Sequence, residues 1–248
     1  MKVGVFDSGA GGLSVVKSLL EHRLFDEIIY YGDTARVPYG TKDKNTIIRY
    51  SLEALEFFNN FDIDLLITAC NTVSAYALTE MREASSYDIV GVIEPGIRAL
   101  ENKISDKEAD VLITGTRATI ASGRYQNELK ARGYHHLTAI QTGLFVPLVE
   151  EGIFHGPILE ETMRYYFGDI PDPSAIILGC THFPLISDAM QEHFVNEPVM
   201  IHSGEAIVEY LAEQHGIVGH SQKSDLKIFA SDNVEGLRRI ADEWLGEF

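Results

Sequence analysis

The chain alternates short apolar segments, rich in β-branched residues, with longer segments whose apolar residues recur at helical spacing. Segments such as Lys2–Phe6, Leu65–Thr68 and Ala175–Leu178 are followed at once by small or polar residues. Uninterrupted apolar runs are typical of strands buried on both faces, and parallel strands are connected by helices. The alternation therefore predicts an α/β protein built on mainly parallel sheets.

The two halves of the chain share this pattern. Residues 3–20 resemble residues 111–129, and residues 65–72 resemble residues 177–182. We therefore predict two similar lobes, each a mainly parallel sheet flanked by helices, with the active site in the cleft between them. The first lobe is placed at residues 1–94 plus 205–248, and the second at residues 95–204. Among the elements, we predict single helices over Thr72–Arg82, Ile120–Arg132 and Phe183–Phe194, a strand over Ile89–Ile93 and a loop over Gly216–Ser224.

The only two cysteines of the chain stand in matching positions. Cys70 and Cys180 each lie one small residue beyond an apolar strand, and each is followed by hydrogen-bonding residues. Ligands of parallel sheets bind at the carboxyl ends of the strands, so the match favours two reactive thiols over two buried hydrophobic residues. A metal site with His182 is an alternative because thiolate and imidazole both bind zinc, although Cys-x-His lacks the paired Cys-x-x-Cys spacing.

Asp7 opens a glycine-rich turn, Asp7–Gly12, directly after the first strand. Such an aspartate can bind its own backbone, or it can handle a proton beside a thiol. The turn matches neither the dinucleotide fingerprint nor the Walker loop, but its N–H groups could bind an anion. His182 can be structural, or it can set the protonation of the nearby Cys180 thiol. Ser8, in the glycine-rich turn, could offer a hydroxyl donor to an anion. Further polar groups at turns could together hold the carboxylates and the ammonium group of an amino acid: Tyr39, Gly40, Asn71, Thr72 and Thr181.

The formal net charge of −17 argues against binding to nucleic acid or to a membrane surface, and we predict neither partner. No run approaches the ~20 apolar residues of a membrane-spanning helix. Met1 leads directly into the first strand, without the charged and apolar regions of a secretion signal. The predicted compartment is therefore the cytoplasm, where cysteines stay reduced and a disulfide is not expected.

Five stretches of the sequence, taken together, resemble the bacterial glutamate racemases of the aspartate/glutamate racemase family. They occur in the family's order and span nearly the whole chain. Ala10 and Val73 stand where the family pattern has Val and Ala, which leaves the reactive groups unchanged. The matching stretches are Gly4–Gly12, Tyr31–Gly40, Ala69–Thr72, Gly91–Pro95 and Leu178–Leu185.

The resemblance implies a racemase that uses no cofactor and no metal, interconverts L- and D-glutamate, and supplies D-glutamate for peptidoglycan synthesis. Cys70 and Cys180 are then the two catalytic bases, and Asp7 is the partner of Cys70. Glu150 and His182 assist Cys180, although Glu150 lies in an acidic pair and is selected only through the resemblance. Glutamate is the implied small-molecule partner, and family members often form homodimers. The implied substrate contacts are Asp7, Ser8, Tyr39, Gly40, Asn71, Thr72, Thr116, Thr119, Thr181 and His182.

Three other interpretations stay open from the sequence alone. The first is an aspartate racemase, or another enzyme, on the same scaffold. The second is a thiolate–metal enzyme or metal-binding protein that uses Cys70, Cys180 and His182. The third is a noncatalytic anion-binding module built on the glycine-rich turn.

Overall fold

The computed structural model describes residues 1–220 and 223–246, and this part of the chain contains nine strands and twelve α-helices. The strands are β1 (Lys2–Asp7), β2 (Glu27–Gly32), β3 (Leu65–Thr68), β4 (Asp88–Gly91), β5 (Val111–Gly115), β6 (Leu137–Gln141), β7 (Ala175–Gly179), β8 (Val199–Ile201) and β9 (Asp225–Ala230). The helices are α1 (Leu13–Glu21), α2 (Lys44–Phe58), α3 (Asn71–Tyr76), α4 (Leu78–Ala84), α5 (Ile93–Lys103), α6 (Arg117–Ala121), α7 (Arg124–Ala131), α8 (Phe145–Glu150), α9 (Pro157–Phe167), α10 (Ser187–His193), α11 (Ser203–His215) and α12 (Val234–Leu245).

The strands form two separate sheets. The first has the order β4-β3-β1-β2-β9 and the second the order β6-β5-β7-β8. All strand pairs among the described residues are parallel. The prediction of an α/β protein with two parallel sheets flanked by helices is confirmed, and the sheets are wholly rather than mainly parallel.

Helices cover both faces of each sheet, which is why the strands are uninterrupted apolar runs. On the first sheet, Val5 packs with α1, α11 and α12, whereas Phe6 packs with α2 on the opposite face. On the second sheet, Ile113 packs with α5 and α7, whereas Leu112 packs with α8, α9 and α10. Fully burying one such side chain contributes about 1.5–3 kcal/mol, so these four layers supply the main stabilisation of both sheets.

The helix α2 begins after an aspartate that caps its N-terminus. The Asp43 carboxylate accepts the backbone N–H groups of Asn45 at 3.0 Å and Thr46 at 3.1 Å. Removing a cap of this kind costs about 1 kcal/mol. The buried face of α2 then places Leu55 and Phe58 against the first sheet.

Each of the three predicted single helices is interrupted. The segment predicted over Thr72–Arg82 is α3 followed by α4, with a break at Ala77. The segment predicted over Ile120–Arg132 lies in α6 and α7, because Gly123 adopts a left-handed conformation with φ of 68° and ends the first of them. The segment predicted over Phe183–Phe194 begins as a 3-10 turn, Phe183–Ile186, before α10.

The strand predicted over Ile89–Ile93 ends at Gly91, and α5 begins at Ile93. Pro95 fits there because the first turn of a helix leaves its N–H groups without intrahelical acceptors. The loop predicted over Gly216–Ser224 includes residues 221 and 222, and the segment 205–248 ends with residues 247 and 248; these four lie outside the described residues. Within residues 1–220 and 223–246, no helix is long and apolar enough to cross a membrane.

Candidate active site

A cavity that is partly open to solvent lies where the carboxyl ends of the two sheets meet. Its wall includes residues that end or follow β1, β2 and β3 of the first sheet and β5 and β7 of the second. Ligands of parallel sheets bind at such strand ends. The cavity is lined by Ser8, Val37, Pro38, Tyr39, Gly40, Cys70, Asn71, Thr72, Thr116, Val146, Gly179, Cys180, Thr181 and His182.

Most of the residues selected from the sequence therefore meet in one place. Both cysteines line the cavity, although they come from different sheets and are far apart in the chain. Asp7, Thr119 and Glu150 do not line it but form hydrogen bonds to residues that do. The cavity wall also contains Val37, Pro38, Val146 and Gly179, which sequence reasoning did not select as site residues.

Cys70 stands between β3 and α3 and is 6% exposed. Its thiol lies 3.5 Å from the Ser8 hydroxyl oxygen. Burial and the negative charge of Asp7 raise the pKa of the Cys70 thiol to about 12. Cys70 is therefore a neutral thiol at physiological pH.

Asp7 lies at the end of β1, the strand that pairs with β3, and its carboxylate is fully buried. One carboxylate oxygen accepts the Gly9 N–H at 2.9 Å, and the other accepts the Thr181 hydroxyl at 3.2 Å. Burial raises the pKa of Asp7, whereas the charge of His182 and these hydrogen bonds partly offset that rise. Because Thr181 follows β7 of the second sheet, the carboxylate also joins the two sheets.

Cys180 stands between β7 and the 3-10 turn Phe183–Ile186 and is also 6% exposed. Its sulfur lies 3.7 Å from Nδ1 of His182, and Nε2 of His182 lies 3.2 Å from Oε1 of Glu150. Burial disfavours a charged imidazole, but the hydrogen bonds with Cys180 and Glu150 outweigh it and raise the pKa of His182 to about 10. His182 is therefore a cation at neutral pH and places a positive charge beside Cys180.

The glycine-rich turn is required for close approach between the sheets. A Cβ atom on Gly11 would lie 2.3 Å from the Thr181 hydroxyl oxygen and 2.6 Å from Nδ1 of His182. The Ser14 hydroxyl also donates to the Thr181 carbonyl at 2.8 Å. The glycine at position 11 thus allows the turn after β1 to lie against the residues that follow Cys180.

Three threonine hydroxyls form a closed ring of hydrogen bonds across the cavity edge. Thr72 lies 3.0 Å from Thr116 and 3.1 Å from Thr119, and the latter two are 3.0 Å apart. Thr72 lies in α3, just after Cys70, whereas Thr116 and Thr119 follow β5 of the second sheet. The ring therefore connects the two halves of the site.

Two predicted substrate contacts have side chains that are already hydrogen-bonded. Tyr39 lines the cavity, and its hydroxyl donates to Asp33. The Asn71 side-chain oxygen accepts the Tyr125 hydroxyl at 2.7 Å, and its amide nitrogen lies 3.5 Å from the Ser203 hydroxyl oxygen. Nothing in the sequence indicates that Asp33, Tyr125 and Ser203 bind these two side chains.

No group of three or more His, Cys, Asp or Glu side chains that could hold a metal ion occurs within residues 1–220 and 223–246. Cys70, Cys180 and His182 all line the cavity, but they form no such group among the described residues.

Comparison with known proteins gives one consistent family. The family model described as Asp/Glu/Hydantoin racemase matches residues 13–211. The glutamate racemase of a Nitratiruptor species is 62% identical over 245 residues, which cover 99% of this chain and 96% of the relative. The crystal structure of glutamate racemase from Campylobacter jejuni is 54% identical, with a TM-score of 0.97 over 99% of this chain and 98% of that chain.

A second solved structure extends the likeness to a more distant relative with a bound ligand. Glutamate racemase from Francisella tularensis, in complex with D-glutamate, is 30% identical, with a TM-score of 0.86 over 99% of this chain and 94% of that chain. With the family match and the two close relatives, this likeness covers nearly the whole molecule. The chain belongs to the Asp/Glu/hydantoin racemase family and, within it, to the bacterial glutamate racemases.

Proposed function

We propose that this protein interconverts L- and D-glutamate by proton transfer through Cys70 and Cys180, without a cofactor. One observation carries the proposal: two cysteines from different sheets line one cavity and have charges of opposite sign beside them. The relatives named above supply the substrate, since each is called a glutamate racemase.

Inversion at the α-carbon needs a base on one face and an acid on the other. One thiolate takes the α-proton and leaves a carbanion, and the opposite thiol delivers its own proton to the other face. The product is the mirror-image amino acid, and the two sulfurs have exchanged protonation states. The reverse reaction starts from that exchanged state, so no oxidant or co-reactant is consumed.

The surroundings of the two sulfurs differ in charge. Burial and the charge of Asp7 raise the pKa of Cys70, so Cys70 is held as a thiol, whereas the cationic His182 lies beside Cys180. We assign Cys70 as the acid and Cys180 as the base in the ligand-free protein. Glu150 holds His182 from the other side of its ring, which keeps the imidazole charged and oriented.

The cavity wall suits a substrate with two carboxylates even though the whole chain carries a formal net charge of −17. None of the described lining residues is acidic, and His182 contributes a positive charge. Ser8, Thr72 and Thr181 line this buried site, and a hydrogen bond from the Ser8 hydroxyl to developing negative charge is stronger there than in water. We assign substrate binding to these residues and to Asp7, Tyr39, Gly40, Asn71, Thr116, Thr119 and His182.

The direct test replaces each cysteine separately. We expect Cys70→Ala and Cys180→Ala each to abolish interconversion, because each reaction direction uses both sulfurs. Circular dichroism of L- and of D-glutamate follows the reaction, and aspartate is the comparison substrate. Full activity in either variant, or faster turnover of aspartate by the wild-type protein, would contradict the proposal.

Three wider assignments belong to the same proposal. The D-glutamate formed would serve peptidoglycan synthesis in the cytoplasm, and rescue of a bacterium that requires D-glutamate would test that role. The lobes would be residues 1–94 plus 205–248 and residues 95–204; pairing of β9 with β2 supports returning the C-terminal segment to the first lobe. A homodimer is proposed from the family resemblance, and light scattering measures it.

A further inference from the structure

We propose that Asp33 is a positioning residue of this site: its buried carboxylate holds Tyr39 and Gly40 where the substrate binds. The inference rests on the proposed function, because it assigns a purpose to the wall of the same cavity. Asp33 lies directly after β2, and it is not among the residues that line the cavity. Its role is therefore to place other groups rather than to transfer a proton.

The Asp33 side chain is fully buried, and hydrogen-bond donors surround it. Its carboxylate accepts the Tyr39 hydroxyl, Nε of Arg36 at 2.6 Å and the Ser231 hydroxyl at 2.7 Å. Its own N–H donates to the carbonyl of Asp7 at 3.0 Å. A buried carboxylate is tolerated only with such compensation, so this arrangement is built around its charge.

Tyr39 is the route from Asp33 to the cavity. Its side chain is fully buried and lies edge-on to Phe6, with ring centroids 6.4 Å apart. The centroid of the Tyr50 ring lies 5.5 Å from that of Tyr39. Burial and the bond to Asp33 raise the pKa of Tyr39, so its hydroxyl remains a donor. The two rings limit the position of Tyr39 sideways, and Asp33 limits it along the direction of the hydroxyl.

The four consecutive residues 37–40 form a continuous part of the cavity wall, since Val37, Pro38, Tyr39 and Gly40 all line the cavity. Across the cavity edge, a Cβ atom on Gly40 would lie 2.4 Å from Cβ of Thr116. The wall is thus held between Asp33 behind it and Thr116 in front of it. A shift of Tyr39 away from Asp33 would change the width of the site.

Arg36 and the residues after β9 support the carboxylate from outside. Arg36 also pairs with Glu53, and its guanidinium lies 4.1 Å from the centre of the Tyr50 ring. The Ser231 hydroxyl, besides donating to Asp33, accepts the N–H of Ala35 at 3.0 Å. Asp33 therefore connects the substrate wall to α2 and to the C-terminal strand of the same sheet.

A double-mutant cycle with Asp33→Asn and Tyr39→Phe tests the proposal. Tyr39→Phe keeps the ring and removes only the hydroxyl that Asp33 holds. Each single change should raise KM for both enantiomers about 10-fold, the factor for losing one hydrogen bond to a charged acceptor. The kcat value should change by less than about threefold in each variant. The KM of the double variant should not exceed that of the single variant with the higher KM.

A matched control removes a different donor to the same carboxylate. Ser231→Ala leaves the Asp33–Tyr39 bond in place and should change KM by less than about twofold. The pH profile of kcat should keep its shape in all variants, because neither thiol is touched. If Asp33→Asn does not fold, Tyr39→Phe still decides, since it must raise KM by itself.

Two further outcomes separate this inference from the proposed function. Calorimetric titration with glutamate measures binding without turnover, so a wild-type protein that binds but does not racemise would refute only the proposed function. Weaker binding in the two single variants would then still support Asp33 as a positioning residue. The inference is overturned by an unchanged KM and binding constant in folded Asp33→Asn, by additive effects in the cycle, or by a wild-type protein that does not bind glutamate.

Discussion

Cys70 and Cys180 follow their strands in the same way, yet the charges beside the two sulfurs have opposite sign. Asp7 lies near the first, and the cationic His182 lies near the second. The two sulfurs of one small cavity therefore have different electrostatic surroundings at neutral pH. This difference comes from Asp7 and His182, and it is the physical basis of the proposed direction of proton transfer.

The positive charge of His182 also makes a prediction about stability and pH. The pKa of His182 rises from its ordinary value of 6.5 to about 10 on folding. The folded protein then binds a proton that the unfolded chain releases, so this contribution is complete below pH 6.5 and is lost as the pH rises to about 10. The variant His182→Gln lacks the contribution at every pH.

Thermal unfolding of the wild-type protein and of His182→Gln at several pH values measures this contribution of His182 to stability. The difference in midpoint between wild type and His182→Gln should shrink steadily from pH 6.5 to pH 10. Titrating groups that do not interact with His182 cancel in this difference. A midpoint difference that stays constant over that range would show that His182 is not held as a cation.

Single residues differ in how well the sequence predicts them. Cys70 and Cys180 stand out because a strand end is visible as an apolar run followed by a reactive group. The engagement of Tyr39 with Asp33 is not visible, since hydrogen-bond partners depend on how separate strands pair. Val146 has no sequence signal at all, because it reaches the cavity through the packing of α8.

At the scale of elements, the site is made by strand ends and by the turns that follow them. Parallel pairing brings the ends of β1 and β3 together in one sheet and those of β5 and β7 together in the other. That arrangement follows from the alternating pattern and is predictable. The helix breaks at Ala77 and Gly123 are not, because a local backbone conformation overrides helical periodicity there.

The turn after β1 gives the prediction that belongs to this scale. Gly11→Ala would place a methyl group 2.3 Å from the Thr181 hydroxyl oxygen, so the turn must move away from Thr181 and His182. We expect a loss of about 1–3 kcal/mol in the free energy of unfolding and a large loss of racemisation. Thermal unfolding and circular dichroism measure the two effects.

Gly143→Ala is the matched control. Among the described residues, no atom beyond its two chain neighbours lies within 4 Å of a Cβ added at Gly143, and its φ is not positive. It should therefore change stability by no more than about 0.5 kcal/mol and leave activity intact. Equal effects of the two substitutions would mean that the contact between Gly11 and Thr181 has no special importance.

Across the whole molecule, the two sheets share no hydrogen-bonded strand pair, and residues at the ends of their strands join them at the site. The threonine ring and the contacts of Asp7 and Ser14 with Thr181 join them. The internal echo in the sequence predicts two such halves. It does not predict the contacts between them, because these depend on the relative orientation of two sheets that share no hydrogen-bonded strand pair.

The central claim is that two sulfurs act on opposite faces of one carbon atom, and deuterium incorporation tests it most directly. D- or L-glutamate is incubated with the wild-type protein in deuterated water, and the α-carbon of both enantiomers is followed at early times by nuclear magnetic resonance after chiral separation. The account predicts deuterium in the enantiomer that is formed, while the remaining starting enantiomer keeps its proton. Deuterium appearing equally fast in both enantiomers would contradict it, because a single base would then serve both faces.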